Sequence, residues 1–148
     1  MLKMVKYVDY IKRLKFCPFC NVNSNKVILS NDSAILIVSK APYHNDHLLV
    51  VPKRHNSSFL RLTPKELSDT NELIKSSIRL LNSLGHRGVS VLVRNRKASG
   101  KSVNHLHYHI IPDTPVTAIH TDMFNREVIS DAKEFSKVRS FRKLLNNL

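Results

Sequence analysis

Three histidines stand at alternate positions, His105, His107 and His109, in the run His-Leu-His-Tyr-His-Ile-Ile-Pro that ends at Pro112. Alternation is the period of a strand, so one face of this segment carries three imidazoles and the other carries Leu106, Tyr108 and Ile110. Imidazole is costly to bury and loses its proton near neutral pH, so three on one face point to metal binding or to work on a phosphate. A second group able to do chemistry is Cys17-Pro18-Phe19-Cys20, which holds both cysteines of the chain. The pair reads as half a metal site or as a redox dithiol, with a structural disulfide least favoured. A redox pair opens a helix just after a strand, whereas this one follows a helical pattern and runs into Asn21-Val22-Asn23-Ser24-Asn25. Metal is therefore favoured.

Around these groups the apolar pattern marks the elements that must hold them. Met4, Val5, Val8, Ile11 and Leu14 recur at helical spacing and predict a helix over 4–14. Residues 26–29 and 34–38 are β-rich runs split by Ser30-Asn31-Asp32-Ser33, a hairpin, and 47–51 is a third strand ended by Pro52. Thr63-Pro64-Lys65-Glu66 is a capping box with proline in the first turn. It starts a helix over 64–84 with Leu67, Ile74, Ile78, Leu81 and Leu84 on one face and Gly85 as its stop. Residues 88–94 and 103–111 form the last two strands, joined by the basic loop 95–102. Phe135, Val138, Phe141 and Leu145 predict a helix over 131–145, while 114–130 has no strong period. The sum is an α+β fold: a mostly antiparallel sheet of about five strands with one long helix packed on it.

The 148 residues suit one domain, over 1–148, with an ordinary core and no disulfide staples. No apolar run approaches the ~20 residues needed to span a bilayer. Lys6, Asp9, Lys12 and Arg13 interrupt the apolar residues near the start, so the chain has no continuous apolar centre of a secretory signal. Cytoplasm, without a membrane partner, is the expected location. The 24 Lys+Arg against 11 Asp+Glu give a net charge of +13, a field that attracts nucleotide phosphates, nucleic acid or acidic membrane.

Taken with Asp46-His47-Leu48-Leu49-Val50-Val51-Pro52-Lys53-Arg54-His55, the triad segment resembles the histidine triad (HIT) family. The family signature is HxHxHxx with apolar x, and its upstream element looks like GHxLVxPxxH. The CPFC segment and the long central helix also sit where zinc-containing bacterial members have them, so the likeness runs from about Cys17 to Pro112. The resemblance implies a nucleotidyl hydrolase or transferase. Its reaction would lie at the α-phosphate of a nucleoside polyphosphate, a dinucleoside polyphosphate or a nucleoside phosphoramidate. It implies a homodimer whose two sheets join side by side. By the same likeness His107 is the nucleophile, with a backbone carbonyl fixing its tautomer, and His109 is a donor to a phosphate oxygen or the leaving group. Ser102 matches the phosphate-contacting residue and Gly100 the loop glycine; Asn95 is a further polar candidate and His47 lines the site. Cys17, Cys20, His55 and His105 form the ligand set of a structural Zn2+ in the zinc-bearing members.

The pattern also breaks. Lys101 stands where the family has a phosphate-contacting Gln. Arg94 and Arg96 flank Asn95 where small or amide residues, including Gly, are common. Ser39 falls where Asp or Asn often binds the ribose. Arg94, Arg96, Lys97 and Lys101 put four positive charges beside the site, which suits a longer or more highly charged substrate, or a solvated basic face. Ala41-Pro42-Tyr43 looks more like the diadenosine-tetraphosphate-cleaving branch than the small phosphoramidase branch. The residues also support two rival readings. One is nucleic-acid binding, with removal of adenylate from a 5′ end, supported by Lys133, Lys137, Arg139, Arg142 and Lys143 but not by an aromatic content of 7%. The other has all three histidines holding one catalytic metal, for which only Asp113 lies close as a carboxylate.

Overall fold

The computed structural model describes residues 4–121 and 125–148. Asn31 closes the first hairpin: its Oδ1 accepts from the amides of Ser33 and Ala34 at 3.3 and 2.9 Å, between β1 (Val27–Ser30) and β2 (Ala34–Val38). β2 pairs with β3 (Leu48–Pro52), and β5 (Tyr108–Pro112) lies between β3 and β4 (Val89–Val93). The result is the expected antiparallel five-stranded sheet, in the order β1-β2-β3-β5-β4. β2, β3 and β5 are buried along their whole length, so both faces of the central sheet are covered.

One face packs against two helices. α2 (Pro64–Ser83) begins with the full capping box: Thr63 Oγ1 accepts from the Glu66 amide and the Glu66 carboxylate accepts from the Thr63 amide. It ends at Gly85, whose φ of 91° lets the amides of Gly85 and His86 bond back to the carbonyls of Asn82 and Leu81. α4 (Asp131–Leu145) adds Val138 and Phe141 to the core formed by Leu36, Val50, Leu106, Ile110 and Leu81. The opposite face carries Ile35, Ile37, Leu49 and Val51, with Phe19, Val22 and Val27 packed on them.

The structure departs from the sequence pattern in three places. The first helix, α1, is short (Tyr7–Arg13), because the chain before it pairs its backbone with residues 126–128: Tyr7 N–H to Arg126 O at 2.8 Å and Val128 N–H to Val5 O at 2.9 Å. Met4 and Val5 are exposed and the buried residue of α1 is Tyr7. On α2 the buried line runs through Thr70, Leu73, Ser77, Leu80 and Leu81, with Leu67, Ile74 and Ile78 on its flank and Leu84 exposed. Ser77 fits that line because its hydroxyl bonds the Leu73 carbonyl at 2.7 Å, while the buried Thr70 hydroxyl has no partner among the described residues; an apolar count registers neither. Third, β5 begins only at Tyr108. β4 ends at Val93, opposite Tyr108, and β3, although it continues to Pro52 against β2, pairs with β5 only as far as Val50; the Leu106 amide turns instead to the Asn56 carbonyl at 2.6 Å. In 114–130, α3 (Val116–Thr121) forms a short helix.

Candidate active site

Strand register aligns the site. Val27, Ile37, Leu49, His109 and Leu92 are successive partners across β1, β2, β3, β5 and β4, so His109 is the one polar member of an otherwise apolar row on the face away from α2. A cleft opens over this row, with Phe19, Val22, Ile37 and Leu49 as apolar wall and Ser39, His107 and His109 as its polar side. The alternation read from sequence holds through the irregular stretch: Leu106, Tyr108 and Ile110 enter the core and the three imidazoles face the other way.

Each imidazole of the triad has a different Nδ1 partner. His107 Nδ1 donates to the His105 carbonyl at 2.7 Å, so its bare nitrogen is Nε2. Burial, with Lys101, His105 and Arg94 nearby, pushes the His107 pKa down to about 4, and the ring is neutral at working pH. Phe19 lies on it, ring centres 5.1 Å apart.

His109 is set by a chain of tautomers. The Tyr43 amide donates to His47 Nδ1 at 3.1 Å, which leaves the His47 proton on Nε2. His47 Nε2 is 3.1 Å from His109 Nδ1 and donates to it, which leaves the His109 proton on Nε2. His47 is fully buried behind His109 rather than on the cleft wall. Burial holds both pKa values well below the ordinary histidine value. Arg126, His107, His44 and Arg94 add to this for His47, and His47, His107, Arg94 and Arg126 for His109.

His105 turns away from its two neighbours. Its Nε2 donates to the Pro52 carbonyl at 2.7 Å, aiming Nδ1 at the thiols: 3.3 Å to Cys17 Sγ and 3.7 Å to Cys20 Sγ. His55 Nδ1 is 3.1 Å from Cys20 Sγ. The ligand atoms of Cys17, Cys20, His55 and His105 all lie within 4.8 Å of one another. A tetrahedral zinc with bonds of about 2.3 Å to sulfur and about 2.0 Å to nitrogen holds its S and N ligands about 3.5 Å apart, so the four residues fit such an ion. The carbonyl on the far nitrogen of His105 is the outer support that fixes a ligating tautomer. A single metal held by all three triad histidines does not fit, since His105 Nδ1 is turned to the thiols and His109 Nδ1 is taken by His47.

The 95–102 loop is held by its own polar groups. Asn95 Oδ1 accepts from the Phe59 amide at 2.9 Å, and Lys101 Nζ donates to the Ser57 carbonyl at 2.7 Å. Burial lowers the Lys101 pKa. Gly100, at φ 83°, gives its amide to the Lys97 carbonyl at 3.0 Å. Arg96 has φ 67° and ψ 166°, a backbone region essentially reserved for glycine. The Ser102 hydroxyl is 2.7 Å from the Tyr7 hydroxyl, and Arg94 Nη1 is 3.4 Å from His109 Nε2.

Several groups here have no sequence motif. Tyr7 and Tyr10 from α1, and Arg126 and Glu134 from the C-terminal third, line the same cleft. The Arg126 guanidinium stacks between the rings of Tyr7 and Tyr43, at 4.7 and 3.8 Å from their centres. Glu134 is paired with Lys40 at 2.9 Å and Lys26 at 3.2 Å. Phe19 stood in view inside CPFC, and an aromatic between two metal-ligand candidates was the signal for it. A second His/Asp group, His44, Asp46 and His86, is held by internal ion pairs: His86 bridges Asp46 and Asp113 at 2.9 Å each, and Lys137 binds Asp46 at 3.2 Å.

Residues 21–116 match the family model of the HIT domain. The chain belongs to the HIT family. A HIT-like protein of Methanocaldococcus jannaschii is 31% identical over 100 residues, 65% of this chain and 78% of its own. The adenosine 5′-monophosphoramidase of Schizosaccharomyces pombe is 26% identical over 100 residues, 65% of this chain and 73% of its own. Two solved structures share the fold. Plasmodium falciparum diadenosine triphosphate hydrolase has a TM-score of 0.73 at 19% identity, over 85% of this chain and 80% of that one. A zinc-bound histidine triad protein from Mycobacterium smegmatis has a TM-score of 0.68 at 21% identity, over 88% and 94%.

Proposed function

We propose that this HIT protein is a nucleotidyl hydrolase or transferase. It cleaves at the α-phosphate of dinucleoside polyphosphates or related nucleotides through a covalent nucleotidyl-His107 intermediate. The observation that carries the reading is the His107 tautomer: with Nδ1–H held by the His105 carbonyl, a neutral Nε2 lone pair stands in a cleft whose other wall is apolar. The phosphoramidase and diadenosine triphosphate hydrolase activities named for its relative and its fold neighbour support the same class.

In this reading Nε2 forms a bond to the α-phosphorus as the bond to the leaving group breaks and the leaving group keeps the electron pair. Water then displaces the imidazole, releasing a nucleoside monophosphate, and the surplus proton passes to solvent. His109 Nε2–H hydrogen-bonds the departing or non-bridging oxygen, and His47 acts through His109 by fixing its proton. Ser102 contacts the phosphate once Tyr7 yields it, and Ser39 faces the ribose. Asn95, Gly100 and Lys101 shape the loop that meets the phosphates. A structural zinc on Cys17, Cys20, His55 and His105 would tie the N-terminal segment to the residue before the nucleophile. The protein acts in the cytoplasm as a homodimer joined along β4; among the described residues no helix is long and apolar enough to cross a membrane. Nucleic-acid binding is the weaker reading. On α4, Lys137 is held by Asn45 and Asp46 and Arg142 by the carbonyls of Ser24 and Val27, so part of that basic face is structural.

The test is rapid-quench intact mass after mixing with diadenosine tetraphosphate or adenosine 5′-phosphoramidate. An added nucleoside monophosphate mapped to His107, with turnover at least ~10³-fold lower in His107→Asn, is the expected result. Undiminished turnover in that variant would remove the reading.

A further inference from the structure

The tautomer chain has a consequence at the outer side of His109. Because the Tyr43 amide fixes His47 and His47 fixes His109, the His109 nitrogen that faces Arg94 is an N–H. Arg94 Nη1, 3.4 Å away, is also an N–H group and has no lone pair to offer. Two donors meet, and among the described residues no acceptor stands between them. Glu134, the carboxylate of the same cleft, is held by Lys26 and Lys40. The missing partner is an oxygen able to accept from both at once.

We infer that Arg94 and His109 form the receptor for the leaving group, and that this receptor takes the terminal phosphate of an anionic polyphosphate chain in preference to an amine. The inference rests on His107 as nucleophile and names what departs from the phosphorus it attacks. As the P–O bond breaks, the electron pair stays on the bridging oxygen, which becomes a terminal phosphate oxygen and accepts from His109 Nε2–H and Arg94 Nη1–H. No proton changes hands. An amine is different: it departs only if it gains a proton. A neutral His109 could give one only by becoming an imidazolate, and a second proton on it is opposed from every side. His47 approaches from the β2–β3 loop, His107 from the lead into β5, Arg94 from the end of β4 and Arg126 from the C-terminal segment. The fixed cation at Arg94 thus helps a leaving anion and hinders a leaving ammonium.

The experiment compares kcat/KM for diadenosine triphosphate, whose leaving group is ADP, with that for adenosine 5′-phosphoramidate, whose leaving group is ammonia. The ratio of the two is measured in the unmodified protein, Arg94→Met, Arg94→Lys and His107→Asn. A charge-assisted hydrogen bond lost only where the leaving group is an anion should lower the ratio about 10- to 100-fold in Arg94→Met. Arg94→Lys should restore most of it. Reading a ratio removes any general loss of folded protein. Inorganic tripolyphosphate, as a competitive inhibitor without a nucleoside, should weaken by a similar factor in Arg94→Met. An unchanged ratio in Arg94→Met, with His107→Asn inactive on both substrates, overturns the leaving-group receptor and leaves the nucleophile standing. No turnover and no adduct in the unmodified protein overturns both.

Discussion

At the scale of single residues, the loop beside the triad stores strain at one position. Arg96 occupies φ 67°, ψ 166°, where a Cβ is crowded and a conformation of this kind costs on the order of 1–3 kcal/mol. Glycine removes that cost but gives the unfolded chain more freedom, worth about 0.4–1 kcal/mol. The balance favours Arg96→Gly by roughly 1 kcal/mol, a rise in melting temperature of about 2–4 °C by calorimetry for a chain of this size. A fall in melting temperature would mean that the side chain holds the loop together. The three histidines and the two thiols are legible from spacing, since residues two or three apart in a strand or turn share a face whatever the rest of the chain does. The choice of His107 as nucleophile and of the loop residues that meet the phosphates comes instead from the resemblance to the HIT family. Arg94 against His109, Tyr7 against Ser102 and Glu134 against Lys40 are legible from neither. Their separations of 15, 95 and 94 residues are closed only by tertiary contacts.

Among the elements, the least supported is the segment between α1 and β1. It carries Phe19 and Val22 onto the cleft yet contains no helix or strand of its own apart from a single 3-10 turn, Ser24–Lys26. Its attachment runs through Cys17 and Cys20 to His55 after β3 and His105 before β5, three separate points of the chain. A bound zinc would therefore act as a cross-link for a segment that no strand of the sheet pairs with. Metal analysis should find one zinc per chain, retained in His107→Ala and lost in Cys17→Ser, with the latter melting several degrees lower. Equal zinc in both variants would place the ion elsewhere. The regular elements followed from pattern for physical reasons: β2 and β3 are unbroken apolar runs with a closed turn, and α2 has a capping box and a glycine stop. The sequence pattern misjudged the ends and faces. The start of β5 depends on where β4 ends and where the Leu106 amide finds its partner, the start of α1 on backbone taken up by 126–128, and the buried line of α2 on two small polar residues. None of these can be read from the segment alone.

Across the whole molecule, the two edges of the sheet are treated differently. β1 is irregular in register between Val27 and Leu29, and Arg142 donates to the Val27 carbonyl, so that edge is blunted. β4 is the other edge, Val-Ser-Val-Leu-Val, regular over five pairs with β5. In a chain of net charge +13 it carries no charge and no proline, and Val91 at its centre is 46% exposed. Edge strands that stay monomeric are guarded by charge, proline or a bulge, and this one has none of them. Its outer amides and carbonyls suit a second copy of the same strand, and antiparallel pairing about a two-fold axis near Val91 would join two five-stranded sheets into one of ten. Such a sheet would bring the two Arg94 residues to opposite ends of the shared ladder, one cleft at each end, so that the charge of each site falls well away from the other. Sedimentation equilibrium should give twice the mass of the chain for the unmodified protein and the mass of one chain for Val91→Lys, which puts a buried cation opposite its own symmetry mate. A single-chain mass for the unmodified protein at micromolar concentration would show that this edge is guarded by something other than a partner strand.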